Sequence, residues 1–187
     1  MGGTLTRLAA ANNEVHVAYM TNGNIAVFDD DARTIVGLWA DMNDKFGFKS
    51  PAVHAFARMI NGFLRTKDPG VVDIPEVQEI KSLIRRSEAL AACRSMGIFL
   101  EHAHFLDLPF YKTGEVRKRP IGREDIDLVL KTLREVNPQW IFVAGELSDP
   151  HGTHRLCAEA IFAALKELKP SERPDAVWLY RGAWQEW

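Results

Sequence analysis

Segments with strand patterning alternate along this chain with amphipathic segments of helix length, and that alternation limits the architecture more than any other feature. Val15 to Met20, His102 to Leu108, Trp140 to Ala144 and Asp175 to Tyr180 read as strands. Thr4 to Ala11, Asp31 to Lys45, Ala52 to Arg65, Pro75 or Glu76 to Ser95, Arg123 to Val136 and Thr153 to Leu168 read as helices. In the longest of these, Val77, Ile80, Leu83, Ile84, Leu90 and Ala91 recur at helical spacing, and Gly97 supplies a stop. Strands alternating with helices imply an α/β fold with a mostly parallel sheet covered on both faces, Trp140 to Ala144 being a buried strand.

The ends of the sequence are unusual for such a fold. Gly2-Gly3 leads straight into helical residues, although the first helix of a doubly wound fold normally follows a strand. Trp184 to Trp187 carries neither a breaker nor a polar tail. The expectation is a single domain over residues 1–187, truncated at both ends and lacking its first strand. A length of 187 residues suits one domain with a substantial core.

Charged residues make up 26% of the chain and the formal net charge is −2, which gives no support to nucleic-acid binding through bulk positive charge. No apolar run of 18 residues suggests a membrane span, and the first residues lack a signal-peptide hydrophobic segment. Cys93 and Cys157 lie in apolar helical patterns, so two buried thiols in a reducing cytoplasm are expected and not a disulfide scaffold.

The residues best suited to chemistry follow the Trp140 to Ala144 strand. Ser148-Asp149-Pro150-His151-Gly152-Thr153-His154-Arg155 places two imidazoles in a loop at the mouth of an α/β sheet, where such folds bind ligands. His151 belongs to the loop and His154 to the first helical turn, with Thr153 as a candidate N-cap. Histidine ligates metals and transfers protons near neutral pH. Asp149 could ligate, orient an imidazole or cap the helix. Two histidines fall short of the three protein ligands usual in catalytic zinc, and the same residues also suit plain capping.

Other candidates divide between binding and structural readings. Asn22 and Asn24 follow the first strand and suit a polar substrate, yet Asn-Gly is equally a turn signature. Asp29 to Asp31 read as capping and solvated acids, with Asp31 at the N-cap position. Arg85, Arg86 and Glu88 occupy the middle of the long helix; Arg85 is kept as a possible substrate contact beside a solvent-exposed reading. His102 and His104 share one face of their strand and Asp107 the other, against one metal site from those three. Tyr111, Lys112 and Arg117, with Lys118 and Arg119, suit a sugar or phosphate but also form an ordinary charged loop. Cys157 reads as core, and no G-x-G-x-x-G occurs.

Asp149-Pro150-His151-Gly152-Thr153-His154-Arg155 behind a strand resembles the second signature of the PIG-L/LmbE-like zinc-dependent de-N-acetylases. Gly2-Gly3, the Val15 to Thr21 strand with Asn22-Gly23, Arg85-x-x-Glu88-Ala89 and Phe105-Leu106-Asp107-Leu108-Pro109 extend the likeness over most of the chain. The stretch H-V-A-Y-M-T-N-G-N-I-A-V-F-D-D resembles the branch fused to glucosamine-6-phosphate deaminase-like domains.

The resemblance implies a Rossmann-like three-layer α/β/α fold and hydrolysis of the N-acetyl amide of an N-acetylglucosamine-type amino sugar. His154 would then ligate Zn2+, and His151 would steady the oxyanion or protonate the leaving amine. A His-Pro-Asp-Asp type signature, which brings two more ligands and the aspartate base in that family, does not occur here. The chain alone is therefore expected to hold zinc weakly or not at all, and to be inactive. The alternative is a non-catalytic sugar- or sugar-phosphate-binding or structural domain of a larger amino-sugar protein, such as a deaminase fusion.

Overall fold

The computed structural model describes residues 1–145 and 152–180. In chain order these form α1 (Gly2–Ala10), β1 (Val17–Tyr19), α2 (Asp29–Lys45), α3 (Pro51–Thr66), α4 (Pro75–Ser95) and β2 (Ala103–Phe105). They continue with α5 (Arg123–Val136), β3 (Trp140–Ala144), α6 (Thr153–Glu167) and β4 (Ala176–Tyr180). Short 3-10 turns at Asn24–Ala26, Leu100–His102, Pro109–Tyr111 and Pro170–Glu172 join them.

Most boundaries fall where the sequence puts them, because local signals set them. Pro51 and Pro75 open α3 and α4, where a missing N–H costs nothing. Asn137, in the left-handed region at φ 47°, closes α5. Two caps differ from expectation. Asp31 is not the N-cap of α2: Phe28 takes that place, and Asp29, Asp30 and Asp31 occupy the first turn, where carboxylates oppose the positive end of the helix dipole. Thr153 is not the cap of α6; Gly152 precedes the helix with φ 71°, and no side chain caps it.

The described strands pair in parallel, β1 with β2 and β3 with β4. Val17 lies opposite Ala103 and Tyr19 opposite Phe105; Trp140 lies opposite Ala176 and Ala144 opposite Tyr180. They form two two-stranded sheets, so the α/β class and the parallel pairing stand without a continuous three-layer sheet. The expected burial of β3 is corrected: Val143 is buried, but Trp140 is 55% exposed, as are Trp178 and Leu179 on β4 in large part. Parallel sheets are ordinarily covered on both faces, and here the covering is partial.

The chain divides into two compact units. Gly23–Glu88 contains α2, α3 and the start of α4, and closes over Ala32, Val36, Ala57, Ile60, Leu64 and Val77. Four charges tie its elements together: Lys67 and Lys81 each bind both Asp29 and Asp73, at 2.5 to 2.9 Å. Lys81 is nearly buried, with 6% of its side chain exposed, and each of its acceptors lies on a different segment. The other unit, Met1–Asn22 with Ala89–Trp187, holds the described strands and buries Cys93, Leu108, Phe110, Val129, Leu130, Ala160 and Ala164. Cys93 is buried as expected, whereas Cys157 is half-buried, and no disulfide joins them. No described helix is long and apolar enough to cross a membrane.

Candidate functional site

The carboxyl ends of β1 and β2 carry one group of candidates. Leu106 donates its N–H to Tyr19 O at 3.0 Å and Leu108 donates to Met20 O at 2.9 Å, so the two chains stay together beyond the strands. Asn22 follows β1. Past β2, Asp107 stands in the left-handed region at φ 51°, which is costly for a residue with a Cβ. Its Oδ1 is buried without a hydrogen-bond partner, and its Oδ2 lies 3.4 Å from Lys112 Nζ. A buried carboxylate oxygen without a hydrogen-bond partner is uncommon in a folded protein, and it stands here at a strand's carboxyl end.

Asp125 builds the ground beneath that group. Buried in α5, its Oδ1 accepts the Phe110 N–H at 2.9 Å and its Oδ2 the Gly122 N–H at 2.7 Å. This pins the Pro109–Tyr111 turn, from which Tyr111 and Lys112 emerge. Tyr111 is buried, with Lys118 Nζ 4.5 Å above its ring, so it serves first as a packed platform. Arg117 is exposed, and its carbonyl accepts the Thr113 hydroxyl at 3.4 Å. The segment from Lys112 to Pro120 is an irregular loop.

Asn24 and Arg85 lie in the Gly23–Glu88 unit, apart in the chain's organisation from Asn22. Asn24 is buried in a 3-10 turn. Arg85 pairs with Glu88 on its own helix at 2.5 Å, and its stem covers Gly23. Gly23 has φ 68°, and a Cβ there would come 3.2 Å from Arg85 Nε, so the Asn-Gly turn needs its glycine.

His154 is exposed in the first turn of α6, behind β3. Asp149 and His151 lie outside the described residues. One described imidazole does not fit a catalytic zinc with three protein ligands.

The described residues also gather ligand-type groups at the amino end of the β1–β2 pair. Glu14 Oε1, His16 and His102 offer three ligand atoms within 4.8 Å of one another. The expectation that His102 sits in a strand with His104 is corrected: His102 ends a 3-10 turn, and β2 begins at Ala103. Both rings face His16, which stacks on His102 at 4.0 Å and places Nδ1 2.8 Å from His104 Nε2. Burial, and then the neighbouring His16 and His102, hold His104 below the usual imidazole range. The hydrogen bond with His16 lowers the Glu14 carboxyl. Glu14 and His16 stand just before β1, and their nearness to His102 is legible only once β1 and β2 are known to pair.

A short parallel α/β framework with polar groups at strand carboxyl ends is the architecture of many small-molecule enzymes. The model of the PIG-L family, GlcNAc-PI de-N-acetylase, matches residues 1–165, and the chain belongs to that family. A glucosamine-6-phosphate deaminase-like protein from Bacteroides thetaiotaomicron is 45% identical over 194 residues, covering 100% of this chain and 29% of that protein. The chain thus spans less than a third of that relative's length. No solved structure matches it.

Proposed function

We propose that this chain is part of a de-N-acetylase domain that hydrolyses the N-acetyl amide of an N-acetylglucosamine-type amino sugar, within a longer protein carrying a deaminase-like domain. The family match over residues 1–165 carries this reading, and the name and length of the Bacteroides relative support the fusion.

In the hydrolysis, water adds to the acetamide carbonyl, the C–N bond breaks, and the amine leaves with a proton. His151 is proposed to steady the tetrahedral oxyanion or deliver that proton, a role suited to an imidazole at neutral pH. His154 is proposed as a metal ligand, with Asp149 orienting an imidazole or capping α6. Asn22, Tyr111, Lys112 and Arg117 are proposed to contact the sugar or its phosphate, since Asn22 and Lys112 follow the carboxyl ends of β1 and β2. Asn24 and Arg85 are carried as further candidates for substrate binding.

The test uses a protein extended upstream through a His-Pro-Asp-Asp type signature, with release of free amine from an N-acetylglucosamine derivative as the readout. His151→Ala should keep its metal and lose about a hundredfold or more in turnover. His154→Ala should lose turnover together with one equivalent of metal. A second reading is a non-catalytic sugar- or sugar-phosphate-binding domain of the longer protein. Sugar binding without amine release by the metal-loaded extended protein would establish it.

A further inference from the structure

We propose that Glu14, His16 and His102 form a metal site at the amino end of the β1–β2 pair, taking a divalent transition ion of the zinc type. His16 immediately precedes β1 and His102 immediately precedes β2. The strands are parallel, so both residues fall at the same edge, opposite the carboxyl ends that carry Asn22, Asp107 and Lys112. The site is thus separate from His151 and His154 in chain position and from the carboxyl edge of this sheet in space.

The three ligand atoms already stand close to a coordination shell. Glu14 Oε1 lies 2.9 Å from His16 Nε2 and 4.0 Å from His102 Nε2. Metal–ligand bonds of about 2.1 Å in a tetrahedral shell place ligand atoms about 3.4 Å apart, between those two distances. The imidazoles are stacked with 20° between their planes, and both Nε2 atoms come towards the same carboxylate oxygen. Closing the shell needs rotation of the Glu14 side chain, which is 74% exposed, and a turn of the His102 ring out of its stack on His16, so that the in-plane Nε2 lone pairs of both rings meet at one ion. The donor set of two imidazoles and one carboxylate suits zinc and its neighbours in the first transition row better than magnesium or calcium.

His104 supplies the support that a ligating histidine normally has. Its Nε2 lies 2.8 Å from His16 Nδ1, so His16 can donate Nδ1–H there while Nε2 faces the ion. His104 is a positioning residue, not a ligand. An ion held by Glu14, His16 and His102 would clamp the entry to β1 against the entry to β2. Each strand is three residues long, so the clamp would fix a pairing with few hydrogen bonds of its own.

The experiment is equilibrium dialysis of the full chain against zinc alone, followed by metal analysis and thermal melting with and without zinc. Wild type should retain about one equivalent and melt at a higher temperature with zinc, because the ion binds the native state. Glu14→Gln and His102→Gln should each weaken zinc binding by a hundredfold or more and abolish the thermal shift. His104→Gln should weaken it about tenfold, and His154→Ala should leave it unchanged. Far-UV circular dichroism of the apo variants checks that each is folded. Wild type without stoichiometric zinc, or zinc that survives both Glu14→Gln and His102→Gln, overturns the proposal. Zinc lost in His154→Ala but kept in Glu14→Gln overturns it by placing the ion at α6. The deacetylase reading is judged by amine release and does not depend on this outcome.

Discussion

At the scale of single residues, the Asp125 side chain holds backbone that follows β2, and Gly23 holds a tight turn of its own. Asp125 accepts two N–H groups, from Phe110 and Gly122, inside the protein. Asp125→Ala leaves both donors without that carboxylate, and chemical denaturation should show a loss of roughly 2–3 kcal/mol. Asp125→Asn keeps one acceptor oxygen and should cost less. A smaller loss for Asp125→Ala than for Asp125→Asn would mean that the Pro109–Tyr111 turn is held by something else. Gly23 is constrained in another way. Its positive φ costs a side chain about 1 kcal/mol, and Arg85 already fills the space where a Cβ would go. Gly23→Ala should lower the melting temperature by several degrees, and the additional Arg85→Ala change should recover only the steric part.

At the scale of elements, the Asp29, Asp73, Lys67 and Lys81 quartet ties the start of α2, the end of α3, the following loop and α4 within one unit. Asp73→Ala strands Lys81 and Lys67 with a single shared carboxylate. Removing one partner of a largely buried pair costs about 3 kcal/mol, measurable by denaturation. The quartet also sets a pH window. Burial raises the Asp29 carboxyl, and the hydrogen bonds from Lys81 and Lys67 outweigh it, so its folded value is lowered. Its contribution is therefore present above the ordinary carboxylate value of about 3.9 and is lost as pH falls through the lowered value. Burial lowers Lys67, and its hydrogen bonds to Asp73 and Asp29 outweigh that, so its folded value is raised. That contribution is present below about pH 10.4 and is lost as pH rises through the raised value. Melting temperature should fall at both extremes, and Asp73→Ala should flatten the alkaline limb more than the neutral plateau.

At the scale of the molecule, two units with separate interiors should not lose structure together to the same degree. Ile60 is fully buried in the Gly23–Glu88 interior, among Ala57, Leu64 and Val77. Ile60→Ala should cost about 3 kcal/mol. Amide hydrogen exchange should quicken across α2 and α3 far more than across α5 and α6. Uniform acceleration throughout the chain would show one cooperative structure in place of two. The other unit exposes Trp140, Trp178 and Leu179 on β3 and β4.

The sequence alone determined the secondary elements and their kind. Prolines at helix starts, Asn137 at a helix end and apolar periodicity act within a few residues, so α4, α5 and β3 were legible almost to the residue. It also carried the family, because the Asp149 to Arg155 and Arg85-x-x-Glu88-Ala89 patterns are local strings. Tertiary structure decided the rest. The parallel pairing of β1 with β2 brings His16 to His102 and His104 across 86 and 88 positions of chain, and no local pattern encodes that distance. Long-range pairing likewise made Asp29 a partner of Lys67 and Lys81 where spacing suggested a solvated acid near a helix cap. Burial of β3 was misjudged for the same reason: an apolar strand shows what it can bury, and its neighbours decide what it does.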